Sequence, residues 1–149
     1  MTKRIALVLG TVVALVLVVS VGVAFAAVFI GTATGNTING TSSADNITGA
    51  PGPDTVNARG GNDQVYGDAG DDTMSGGGGT DYLEGGRGEN SLNGGAGNGD
   101  IINVVDGDSD DHPMGGDGIN DTCIVDGVVD GVPQQELIDD SCENVIETQ

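Results

Sequence analysis

Between Gly31 and Asn103 the sequence keeps a single nine-residue register, and no other feature restricts the fold as much. Ile38, Ile47, Val56, Val65, Met74, Leu83 and Leu92 recur at that interval. Two residues before each stands Asn36, Asp45, Asp54, Asp63, Asp72, Asp81 or Asn90. Units open on Gly31, Gly40, Gly49, Gly67, Gly76, Gly85 and Gly94, with Ala58 in the remaining place. An inner glycine column follows at Gly52, Gly61, Gly70, Gly79, Gly88 and Gly97. A chain that is merely glycine-rich has no reason to hold three columns in phase. The stretch is a repeat.

One unit reads as a turn followed by a short strand. Glycines at tight positions let a six-residue turn such as GGGGTD aim its carbonyls inward. Three residues such as YLE then alternate outward, inward, outward. Turn and strand together reverse the chain about half-way, so two units complete one coil and residue i lies under residue i+18. Successive coils would pair as parallel ladders about 4.8 Å apart. The expected class is all-β, a parallel β-roll or β-helix solenoid. Its inward column offers one apolar side chain per unit, which is a thin core.

Composition sharpens the problem. Twenty-three acids face four Lys and Arg, there is no Trp, and the net charge is −19. Taken alone, such a chain would be disordered, because it cannot bury enough apolar surface to offset chain entropy. A partner held through phosphates is excluded, since nucleic acid requires a basic surface. Cations are invited instead. Stacking puts Asp45, Asp63 and Asp81 in one column and Asp54 and Asp72 in the other. Carboxylates about 5 Å apart repel by roughly 1 to 3 kcal/mol each, depending on the effective dielectric. A hard divalent ion between turns relieves this, and calcium accepts six or more carboxylate and carbonyl oxygens in flexible geometry. Magnesium demands a tighter octahedron, and no His or Cys lies in the repeats to serve zinc or copper.

The units GDAGDDTMS, GGGGTDYLE and GGRGENSLN resemble the hemolysin-type, or repeats-in-toxin, nonapeptide G-G-x-G-x-D-x-U-x. The resemblance covers about half the chain. It implies a parallel β-roll with Ca2+ held between turns two units apart, by the motif aspartate and loop carbonyls of both. Carried over, the best sites pair Asp45 with Asp63, Asp63 with Asp81 and Asp54 with Asp72, completed by carbonyls at Gly52, Gly61, Gly70 and Gly79. Sites pairing Asn36 with Asp54, or Asp72 with Asn90, are expected to be weaker. The eighth unit, GGAGNGDIIN, carries an extra residue, so the place of Asp100 depends on where that insertion is absorbed. In such proteins these repeats often accompany a protease, lipase or toxin domain. No H-E-x-x-H or G-x-S-x-G motif is legible here, so no enzyme is expected and the toxin name does not travel with the repeat.

The ends read differently. Lys3 and Arg4 precede an uncharged apolar run from Ile5 to Ile30, with Ala24-Phe25-Ala26 near its end. Residues 1–26 therefore read as a signal peptide cleaved after Ala26. The run is also long enough to span a bilayer, so an uncleaved anchor is the alternative. Both place the remainder outside the cytoplasm. The two resulting pictures are a secreted calcium-binding module and a membrane-anchored adhesion or interaction protein stiffened by calcium.

The roll is assigned to residues 31–103, and residues 104–149 to an acidic cap. In the cap GGDGINDTCI repeats the eighth unit with the same insertion, placing Asp121 and Cys123 in the acid and apolar columns. Cys123 and Cys142, the only cysteines, are expected to form a disulfide, closing a loop of about 20 residues worth roughly 3 kcal/mol. Their DTC…SCE context resembles the ending of many secreted proteins with these repeats. Asp106, Asp108, Asp110 and Asp117 have EF-hand spacing. Asp111 stands where glycine is needed, Asp117 where Glu is usual, and no flanking helices are visible, so a solvated acidic linker is preferred there. His112 reads as a solvated loop residue.

Overall fold

The computed structural model describes residues 26–107, 110–129, 132–133 and 138–148. Nearly all of residues 1–26, read above as a signal peptide or anchor, and Asp108 lie outside the described residues.

Among the described residues there is no helix, and nearly every strand is parallel. Seven strands form one sheet: β1 (Val28–Ile30), β3 (Asn46–Thr48), β5 (Gln64–Ala69), β7 (Tyr82–Arg87), β9 (Ile101–Asn103), β11 (Thr122–Asp126) and β14 (Asn144–Thr148). The alternate strands form the facing sheet: β2 (Thr37–Asn39), β4 (Thr55–Asn57), β6 (Thr73–Gly77), β8 (Ser91–Ala96) and β10 (His112–Asp117). A short antiparallel pair, β12 (Val128–Val129) with β13 (Val132–Pro133), stands apart.

The coil length is the one expected. Val65 pairs with Ile47 below it and Leu83 above it, and Val56 with Ile38 and Met74, in each case 18 residues away. The middle residue of each short strand is buried and its neighbours face outward, as in the pattern of β2 and β4. The interior is one column from each sheet: Phe29, Ile47, Val65, Leu83, Ile102 and Cys123 against Ile38, Val56, Met74 and Leu92. Where a unit opens on something other than glycine, the side chain fills the interior too, as Ala58, Val104 and Val125 do.

Later coils are longer but keep the stack. Leu83 pairs with Ile102 after 19 residues, and Leu92 with Pro113 and Ile102 with Cys123 after 21. The extra residues are taken up in the turns, so strand register is preserved. The two sheets thus run on beyond Asn103, and the last layer is bound to the one before it by a Cys123–Cys142 disulfide.

This geometry revises the reading of residues 106–117. The second half of that stretch is strand β10, so it forms neither a twelve-residue calcium loop nor a wholly solvated linker. Its periodicity was hidden by the 21-residue coil. His112 is exposed on β10.

The turns are tight. Gly52, Gly61, Gly70, Gly79 and Gly88, the fourth residues of their units, all have φ between 117° and 140°. The second residues also adopt positive φ: Gly77, Gly86 and Gly95 at no cost, but Ala50, Arg59 and Asp68 at 70°, 81° and 80°. A side chain in that region costs about 1–2 kcal/mol, so the third to fifth units carry a local strain that the sixth to eighth avoid.

Candidate metal centre

The acid of each unit sits where its turn meets its strand, and both columns are buried. Asp45, Asp54, Asp63, Asp72, Asp81, Asn90, Asp100, Asp111 and Asp121 are each at most 4% exposed. The insertion in the eighth unit leaves Asp100 in the acid column. The sequence reading also missed two members, because both follow long turns. Asp111 occupies the place above Asn90, and Glu143 the place above Asp121.

One oxygen of each acid is committed to the stack. The Asp63 Oδ1 accepts the Asp45 N–H at 2.7 Å, and the Asp81 Oδ1 the Asp63 N–H at 2.8 Å. In the other column Asp72 Oδ1 accepts the Asp54 N–H at 2.8 Å. The series continues from Asp81 N–H to Asp100 Oδ1 and from Asp100 N–H to Asp121 Oδ1, at 2.8 and 2.9 Å. Each acid is thereby fixed by the layer below it.

The other oxygen is left bare. Oδ2 of Asp54, Asp63, Asp72, Asp81, Asp100 and Asp121 is buried without a hydrogen-bond partner. A buried carboxylate oxygen in this condition costs several kcal/mol unless protonated or matched by a cation. Burial accordingly pushes the carboxyls of Asp63, Asp72 and Asp81 up to about 6, reinforced by the neighbouring acid of the same column. Burial raises Asp54 and Asp100 in the same direction.

Asp45 differs. Its Oδ2 accepts the Thr41 N–H at 2.6 Å, and its Oδ1 accepts Ala27 N–H and Thr41 Oγ1–H, both at 3.0 Å. Of the acids named from the sequence, it is the one whose oxygens are already matched by donors.

Among the described residues no three His, Cys, Asp or Glu side chains converge to hold a metal by themselves. A cation here would have to draw on main-chain oxygen as well. The turns supply it: the amide of Asn90 reaches the carbonyls of Gly86 and Gly88 at 3.0 and 2.9 Å, the second and fourth residues of its unit. By the repeat, Gly52, Gly61, Gly70 and Gly79 are the fourth-position residues of the aspartate units. The second-position carbonyls of Ala50, Arg59, Asp68 and Gly77 were not foreseen. Carboxylate and carbonyl oxygen, with no sulfur or imidazole, is a donor set for a hard ion, and the residues fit calcium.

Comparison with curated proteins and with solved structures found no match. A family model does match, in four overlapping copies at residues 30–65, 39–74, 48–83 and 75–102. Residues 30–102 therefore carry RTX calcium-binding nonapeptide repeats.

Proposed function

We propose that the chain is an exported structural or binding module whose roll folds around calcium held between stacked turns. The observation that carries this reading is the set of six buried aspartate oxygens without a donor, each on a turn rich in carbonyls. Calcium supplies the positive charge those oxygens lack. The chain's own part is to fix Oδ1 by the N–H of the layer below, to present Oδ2, and to bring turn carbonyls alongside. Asp54, Asp63, Asp72, Asp81 and Asp100 are the proposed carboxylate ligands, with carbonyls at Gly52, Gly61, Gly70 and Gly79. Asp121 extends the series into the 104–149 region. Asp45 contributes less, because Thr41 already occupies it.

Isothermal titration with calcium chloride is expected to show several ions bound per chain, with magnesium chloride giving weaker heats. No calcium heat at millimolar concentration would overturn the proposal.

Export rests on the basic start, the apolar run and Ala24-Phe25-Ala26, together with a disulfide of the kind that persists in oxidising compartments. N-terminal mass spectrometry of the secreted protein is expected to find Ala27 first. An intact Met1 on membrane-associated protein would instead favour the anchored surface protein.

A further inference from the structure

The two asparagines in the acid columns keep the aspartate's place and change its chemistry. Asn90 Oδ1 accepts the Asp72 N–H at 3.1 Å, as the Oδ1 of Asp63, Asp72, Asp81, Asp100 and Asp121 does in its own layer. Its Nδ2 takes the position of the bare Oδ2 and donates to the Gly86 and Gly88 carbonyls. Asn36 repeats the amide half of the arrangement at the start of the roll, while its Oδ1 accepts from the N–H and hydroxyl of Thr32 in its own turn. Its Nδ2 donates to the carbonyl of Thr32 at 3.0 Å and to that of Thr34, again the second and fourth residues of the unit. Asn90 is fully buried, so these bonds do not compete with water.

We infer that Asn36 and Asn90 are amide latches, each closing its turn with its own N–H groups where the aspartate units require an ion. The inference rests on the calcium reading above. An amide has two donors where a carboxylate has none. The same backbone can therefore be matched internally or by a cation, according to one atom of one side chain. Thr41, which satisfies Asp45 through its N–H and hydroxyl, acts to the same end in the second unit. The roll thus divides into turns closed without metal, at its first two units and at Asn90, and turns closed by it. The asparagine units are then not merely weaker sites, as the motif alone suggests. They set which layers answer to calcium.

The test is a pair of substitutions in the full mature chain, followed by calorimetric stoichiometry with calcium chloride and by circular dichroism in chelator. Asn90→Asp is expected to bind one more calcium than the parent and to show less β structure in chelator. Asp81→Asn is expected to bind one fewer and to show more. An unchanged stoichiometry for both, with the parent binding calcium normally, would overturn the latch and leave the calcium reading intact. So would an Asp81→Asn chain no more ordered in chelator than the parent. A parent that binds no calcium would instead overturn the reading beneath it.

Discussion

Stripping calcium at neutral pH is expected to convert the β-rich roll into an expanded chain, and acidifying the stripped protein to bring β structure back. At neutral pH without an ion, both columns hold buried carboxylates that an interior of one apolar residue per unit cannot compensate. Protonation removes the charge. In the ion-free fold the carboxyls of Asp63, Asp72 and Asp81 titrate at about 6, against an ordinary value of 3.8. Between those values the folded chain binds more protons than the unfolded one, so its stability falls as pH rises through the window. The calcium-bound form should behave in the opposite way. Protons compete for the same oxygens, so the calcium concentration for half-folding should rise as pH drops below about 6. Far-UV circular dichroism at about pH 7.5 and about pH 4.5, with calcium present and after its removal, checks all four corners. A spectrum indifferent to calcium at neutral pH would refute the first half. A stripped chain no more ordered in acid than at neutral pH would refute the second.

Replacing Gly79 by alanine should be among the most damaging single changes, although it adds only a methyl group. Gly79 has φ of 138°, which an L-residue rarely adopts. The added Cβ would overlap the carbonyl oxygen of Gly61 in the coil below and stand 2.6 Å from its carbonyl carbon. That neighbour is backbone, pinned from both sides, and cannot turn away. The coil would have to separate from the one beneath it, spoiling the turn carbonyls of both. The expected loss is on the order of 3–5 kcal/mol, in the range kept for strained backbone and broken packing. Gly60 is the control. Its added Cβ would meet only the Gly78 carbonyl oxygen at 3.7 Å, and its φ is not positive. Gly60→Ala should therefore change stability by no more than about 0.5 kcal/mol. Urea unfolding in saturating calcium compares the two, and equal midpoints would sink the argument.

Architecture was legible because a solenoid repeats its geometry as often as its sequence repeats. The spacing of Ile47, Val65 and Leu83 gives the coil length directly, and the inner glycines mark turns where the next coil comes too close for a side chain. What escaped had two causes. Asp111 and Glu143 lie in the columns, but turns of variable length precede them, and a turn absorbs insertions that a strand does not. That Asp45 is already matched by Thr41, and that Asn90 bonds its own turn where a weaker site was expected, escaped for another reason. Both depend on which atoms surround a side-chain terminus, and no spacing encodes that. The same holds for the strain at Arg59 and Asp68, since their column is glycine in only some units.

The disulfide has a mechanical consequence. In a parallel stack each layer is bonded only to the layers beside it, so such a structure comes apart by peeling from an exposed end, one rung after another. At the C-terminal end Cys123 of β11 is joined covalently to Cys142, just ahead of β14. The last layer therefore cannot lift off alone, and any unravelling from that side must release two layers together. The end bearing Phe29 has no covalent tie among the described residues. Pulled or thermally loosened, the roll should open from β1 toward β14, so that the order in which its layers are lost is written into the position of a single bond.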